Sequence, residues 1–158
     1  MSVYDIDKLM DETRRIAAEY RRSTGTVLPV AAELARYDAI RLLELKASDG
    51  SQRAVDATKI EDQLEIKIQV KSRVIFEPGK SGARIGQLNM DAAWDSLILV
   101  LFNAEYLPTH IYQITKSTLE QSLTDAAGHS KNKRGAMSLG RFMKIAEVIW
   151  SAEDKQRS

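Results

Sequence analysis

The seven residues Ser96 to Phe102, SLILVLF, carry no charge and a single hydroxyl. A run this short and this uniformly apolar reads as a strand covered on both faces, as in the middle of a sheet with helices on either side. The longest apolar run, Leu97 to Phe102, is far too short to span a membrane. Such a strand predicts an α/β domain, and 158 residues suffice for one well-buried core unit rather than two. The expected division is a single domain over residues 1–151 and a polar tail over 152–158.

A second stretch, Leu64 to Arg73 (LEIKIQVKSR), alternates strictly. Successive side chains of a strand point to opposite faces, so Ile66, Ile68 and Val70 share one face while Glu65, Lys67, Gln69 and Lys71 share the other. With Glu61-Asp62-Gln63 as a turn, Arg53 to Ile60 and Leu64 to Phe76 form a hairpin that sets Asp56 across from Lys67 and Gln69. A carboxylate, an amide oxygen and lysines converging in this way have the ligand chemistry of a hard divalent cation, with a lysine to stabilise charge. Glu65-Ile66-Lys67 and Gln69-Val70-Lys71 offer that chemistry in two registers. The plain alternative is a half-buried strand whose polar face is solvated.

Two helices are expected ahead of the hairpin. From Asp5 to Thr24, Ile6, Leu9, Met10, Ile16, Ala17 and Tyr20 recur at helical spacing and predict a core-facing stripe, ended by Gly25 with Arg21 and Arg22 in the last turn. After Pro29, Val30 to Leu45 form the second, with Val30, Leu34, Tyr37 and Leu42 inward and Glu33 as its earliest carboxylate. A glutamate there is either a favourable dipole partner or an acid near the cation.

Lys46 to Gln52 reads as a turn, Asn103 to Thr109 as another, and His110 to Thr115 as a strand. Thr115 or Ser117 caps a short helix through Leu123, Gly128 to Gly135 is a basic loop, and Ser138 caps a last helix ending at Trp150, with Phe142, Ile145, Ala146 and Ile149 inward. The loop Glu77 to Gly86 contains Gly79-Lys80-Ser81. It is not a phosphate-binding loop of the nucleotide-hydrolase type, because Val74 stands where that motif needs glycine and more loop follows the serine.

Composition excludes several chemistries. The chain has no cysteine and two histidines, His110 and His129, so disulfides, thiolate nucleophiles and the usual zinc-ligand motifs are out. The N-terminus, MSVYDIDKLMDE, is polar and acidic, so no secretory segment is expected and the chain is placed in the cytoplasm without a membrane partner. A net charge of +1 means that any nucleic-acid contact rests on a local basic patch.

Asp56 followed after twelve residues by Gln69-Val70-Lys71 resembles the PD-(D/E)xK nuclease superfamily, in its variant with glutamine as the second ligand. The likeness extends over most of the chain. Tyr20-Arg21-Arg22-Ser23-Thr24-Gly25, Glu33 opening a helix, Val55-Asp56, Gln69-Val70-Lys71-Ser72-Arg73 and Trp94-Asp95-Ser96 look like a small prokaryotic family within it, which favours the Gln69 register over Glu65. Arg36 departs from that pattern, standing where a second helix glutamate is expected.

The resemblance implies a restriction-endonuclease-like mixed sheet flanked by helices, and a Mg2+- or Mn2+-dependent nuclease acting on DNA. It assigns Asp56 and the Gln69 oxygen to the metal, Lys71 to the attacking water or the transition-state charge, Glu33 to an outer water, and Lys67, Arg73, Lys80 and Arg84 to phosphates. A homodimer and a protein partner supplying specificity are both compatible with it. The competing readings are a binding module of a restriction, repair or defence system that kept the fold without the chemistry, and a small homo-oligomeric protein whose charged strand is solvated.

Overall fold

The structure, a computed structural model, describes residues 5–79, 84–86, 88–127 and 137–153. In chain order the elements are α1 (Ile6–Thr24), α2 (Ala31–Leu43), β1 (Lys46–Ala47), β2 (Ala57–Glu61), β3 (Leu64–Val74), β4 (Ser96–Phe102), β5 (Pro108–Thr115), α3 (Lys116–Ala127), α4 (Leu139–Ile145) and β6 (Glu147–Ser151). The six strands form one mixed sheet in sequence order, flanked by the four helices. All neighbours are antiparallel except β3 and β4, which run parallel. The fold is therefore the expected mixed α/β architecture.

Every residue of β4 is buried. Leu97, Leu99 and Leu101 enter a core with Val55, Ile85, Leu88, Trp94, Leu119 and Phe142. Ile98, Val100 and Phe102 enter the other, with Ala17, Leu34, Ala35, Ala39, Ile68 and Tyr106. Burying each such aliphatic or aromatic side chain contributes about 2 kcal/mol, which is why a strand without charges settles between two layers. In β3 only Ile68–Val74 pair with β4, and Leu64 to Ile66 belong to the hairpin with β2 alone. The tip is a two-residue turn with Asp62 and Gln63 both at positive φ.

Helix α1 begins and ends as expected. The Asp5 carboxylate accepts the Asp7 N–H at 2.9 Å, and Gly25, at φ +74°, donates its N–H to the Arg21 carbonyl. Its facing differs. The buried residues are Arg14, Ala17 and Ala18, whereas Ile6, Leu9, Ile16 and Tyr20 of the expected core stripe are exposed. An ion pair decides this: Arg14 Nη1 and Nη2 reach the two Asp38 carboxylate oxygens at 2.8 and 2.9 Å, and Nη1 also donates to the Tyr106 carbonyl. Stranding either charge in the interior would cost several kcal/mol, so the helix turns its arginine inward over two alanines.

The last expected helix is also corrected. Ser138 does cap it, accepting the Arg141 N–H at 3.2 Å, but α4 stops at Ile145 and residues 147–151 become β6, paired with β5. The apolar positions Ile145, Ala146 and Ile149 fit helical spacing, yet Val148, Ile149 and Trp150 are strand formers beside an open β5 edge whose backbone groups need partners. Smaller shifts occur elsewhere. Lys46–Ala47 form a short strand inside the expected turn, β5 starts earlier at Pro108, and α3 runs on to Ala127 with Thr115 Oγ1 accepting the Thr118 N–H at 3.3 Å. The basic loop over residues 128–135 and the tail from residue 154 lie outside the described residues. Among the described residues no helix is long and apolar enough to cross a membrane.

Candidate functional site

The approach to β2 is bent. In a regular strand residues two apart share a face, yet Val55 lies in one core and Ala57 in the other. Ala54 just upstream is at φ +63°, a left-handed conformation that costs a non-glycine residue about 1 kcal/mol. Asp56 sits at this twist. Its N–H donates to the Ile68 carbonyl at 2.8 Å, and its carboxylate Oδ2 accepts the Val70 N–H at 2.7 Å. The two bonds bracket Gln69, and extending the Ala57↔Ile68 register by one step places Asp56 across from that residue.

Gln69 is 3% exposed, and its Oε1 is buried without a hydrogen-bond partner. Across β3 it pairs with Leu97, and Lys71 pairs with Leu99. Gln69 and Lys71 therefore share the face of Leu97 and Leu99, while Ile68 lies in the opposite core with Val70 packed against it. Lys71 is half-buried. Glu65 is exposed and pairs with Ile60 near the hairpin tip, four residues from Gln69, or about 13 Å along the strand. Asp56 thus meets the Gln69 register and not the Glu65 register.

The remaining expected site residues are placed as follows. Glu33 lies in the first turn of α2, whose buried residues pack in the core that holds Ile68, on the other face of the sheet from Gln69. Its carboxylate is exposed and ion-paired with Arg36. Lys67 shares the Gln69 face and is half-buried. Arg73 uses Nε to hold the Arg84 carbonyl, and a Cβ placed on Gly86 would lie 3.9 Å from its Nη2. Arg73 therefore fastens the 84–86 segment, whose Ile85 joins the core on the Gln69 face. The Arg84 residue is exposed, and Lys80 lies outside the described residues.

Two groups were not singled out from the sequence. Asp95, one residue ahead of β4, accepts the Lys67 N–H on Oδ2 at 2.9 Å and donates its own N–H to the Lys67 carbonyl at 2.7 Å, pinning the start of the parallel pair. Its only sequence signal is its place in Trp94-Asp95-Ser96. Arg14 and Asp38 carry no local signal, because both look like ordinary charged residues of surface helices. Among the described residues no group of three or more His, Cys, Asp or Glu is gathered to hold a metal. Among the described residues, Asp56 and the Gln69 across from it would offer a cation one carboxylate and one amide oxygen. No family model matches the chain, and no curated protein matches it in sequence.

Proposed function

We propose that the chain is a metal-dependent nuclease that hydrolyses DNA phosphodiesters, with Asp56 and Gln69 holding Mg2+ or Mn2+ and Lys71 stabilising charge. The observation that carries this reading is the buried, unpartnered Gln69 Oε1, on the residue that the strand register sets across from Asp56. An orphaned buried oxygen costs about 1 to 3 kcal/mol, and a leucine, such as its neighbour Leu97, would avoid that cost. An oxygen kept there against stability, on the residue across from Asp56, fits a hard cation that prefers oxygen ligands. Spacing supports the same reading, with the aspartate at the entry to β2, the Gln-x-Lys run on β3 and the parallel β4 behind it.

Bound there, a divalent cation supplies Lewis-acid polarisation of a phosphoryl oxygen. In the hydrolysis a water oxygen bonds to phosphorus, the bond to the leaving oxygen breaks, and that oxygen takes up a proton. Lys71, on the same face, opposes the negative charge that gathers on the phosphate. Arg73 keeps the 84–86 segment over this face, and we assign Lys67 and Arg84 to flanking phosphates. We assign the activity to the cytoplasm. We also assign self-association as a two-fold dimer, leaving sequence specificity to a protein partner.

One observation favours a second reading, a binding module without chemistry: Glu33, the only helix acid expected at the site, is engaged by Arg36. Crystals grown with manganese separate the two. Anomalous density between Asp56 and Gln69, together with manganese-dependent cleavage of a DNA duplex, supports the nuclease. Absence of both, with salt-sensitive duplex binding retained, replaces it with the binding module.

A further inference from the structure

We infer that α1 packs antiparallel against α1 of a second copy of the chain, about a two-fold axis passing beside Thr13. The inference rests on the two-fold dimer assigned above and names the surface through which it forms.

Spacing identifies the kind of partner. Ile6, Leu9, Ile16 and Tyr20 are 60%, 42%, 49% and 39% exposed, and with Thr13 they repeat at steps of three and four residues along α1. That repeat is the seam of a helix that packs against another helix. At 3.6 residues per turn the row lies roughly 110° round the helix from the buried Arg14, Ala17 and Ala18. A second helix set against it therefore lies beside α1 and not beneath it, where Asp38 and the Tyr106 carbonyl already hold Arg14.

Charge identifies which helix. One flank of the row carries, in chain order, Asp5, Lys8, Glu12, Arg15, Glu19 and Arg22, so the sign alternates from end to end. A row of this kind is complementary to its own reverse. About an axis between Thr13 and Arg14, Asp5 comes opposite Arg22 of the second copy, Lys8 opposite Glu19 and Glu12 opposite Arg15. The apolar row has nearly the same centre, so Ile6 comes opposite Tyr20 and Leu9 opposite Ile16. A parallel pair in register would set each charge against its own sign, which is unfavourable. Within one copy Arg15 holds Glu12 and Arg22 holds Glu19, each at 2.8 Å, and Arg22 also reaches Glu105. The four side chains of the first two pairs are at least half exposed, so these pairs can extend across the axis as a network. A contact of one helix per copy is small, which places its affinity in the micromolar range.

The test is sedimentation equilibrium of the full chain from about 1 to 200 µM. The expected result is a monomer–dimer equilibrium. Leu9→Ser with Ile16→Ser, both at exposed positions, should raise the dimer dissociation constant about tenfold or more while the thermal midpoint changes little. Glu12→Arg should weaken the dimer, because it then faces Arg15 of the second copy, and adding Arg15→Glu should restore it. Orientation is read from single cysteines, since the chain has none. Thr13→Cys should give a disulfide-linked dimer on oxidation, whereas Ile6→Cys, about 20 Å from its counterpart, should not. A dimer that survives Leu9→Ser with Ile16→Ser, or that cross-links at Ile6→Cys and not at Thr13→Cys, overturns the inference and leaves the dimer assignment standing. A monomer throughout the concentration range overturns both, without touching the chemistry proposed for Asp56 and Gln69.

Discussion

The Asp56 carboxylate accepts the Val70 N–H at 2.7 Å, so a side chain ahead of β2 closes a bond on β3 that a strand neighbour's carbonyl would otherwise make. Structural and chemical roles then separate by substitution. Asp56→Asn keeps an acceptor oxygen and should unfold within about 1 kcal/mol of the parent, whereas Asp56→Ala leaves the Val70 N–H unpaired and should cost about 1 to 3 kcal/mol. Urea denaturation measures both. Neither variant should cleave DNA, since each lacks the carboxylate charge.

Gln69→Leu is expected to trade activity for stability. It removes the orphaned oxygen and adds a side chain suited to the core that Leu97 and Leu99 already occupy. Stability should rise by about 1 kcal/mol while metal-dependent cleavage disappears. A loss of stability would mean that the amide is satisfied in solution and that its burial is not a functional compromise.

Lys71 and Lys67 should behave differently. Lys71→Ala should reduce cleavage by a factor of about 100 or more with most duplex affinity retained, because charge stabilisation in the transition state is lost. Lys67→Ala should weaken duplex binding and lower its salt dependence by about one counterion, with turnover of bound duplex little changed. An inactive Lys67→Ala beside an active Lys71→Ala would transfer the chemistry to the Glu65-Ile66-Lys67 register.

The Arg14–Asp38 pair, with side chains 6% and 0% exposed, should be costly to break and cheap to replace. Asp38→Ala leaves a buried guanidinium uncompensated and should destabilise by about 3 to 5 kcal/mol. Arg14→Met combined with Asp38→Leu should recover most of that loss in urea titrations, since it removes both charges and retains volume.

Tyr106 predicts an alkaline limit. Burial raises its phenol above the ordinary value of 10.0, with Arg21 opposing, and burial raises Tyr112 as well. In the folded chain these phenols stay neutral at pH values where unfolded tyrosine ionises. Their contribution is fully present below the unfolded value and is lost as pH rises above it toward the folded values. Unfolding free energy should therefore fall above pH about 10, and Tyr106→Phe should reduce that slope. At neutral pH the same variant should be as stable as the parent or better, because the Tyr106 hydroxyl is buried without a partner.

Much of the fold was legible because local pattern and tertiary burial agree. Strand β4 has only one solution for seven nearly uncharged residues, and the alternation of β3 matches the two cores on either side of it. The juxtaposition of Asp56 and Gln69 followed from a short hairpin. Other features needed information that spacing does not carry. Helix α1 is turned by a partner 24 residues away, which no pattern within the helix reveals. Strand β6 forms because β5 offers it an edge, although Ile145, Ala146 and Ile149 also suit a helix. The engagement of Arg73 with the 84–86 backbone was hidden for the same reason: an arginine beside a phosphate and one holding a carbonyl look alike in sequence.

With Val55 anchored in one layer and Ala57 in the other, Asp56 is gripped from both sides of the sheet like an axle between two bearings. Its carboxylate direction is then a property of the whole three-layer body and not of one loop. A change of volume beside Val55 or Ala57 is therefore expected to disturb the Asp56–Val70 bond, so packing on both faces of the sheet bears on the direction of this carboxylate.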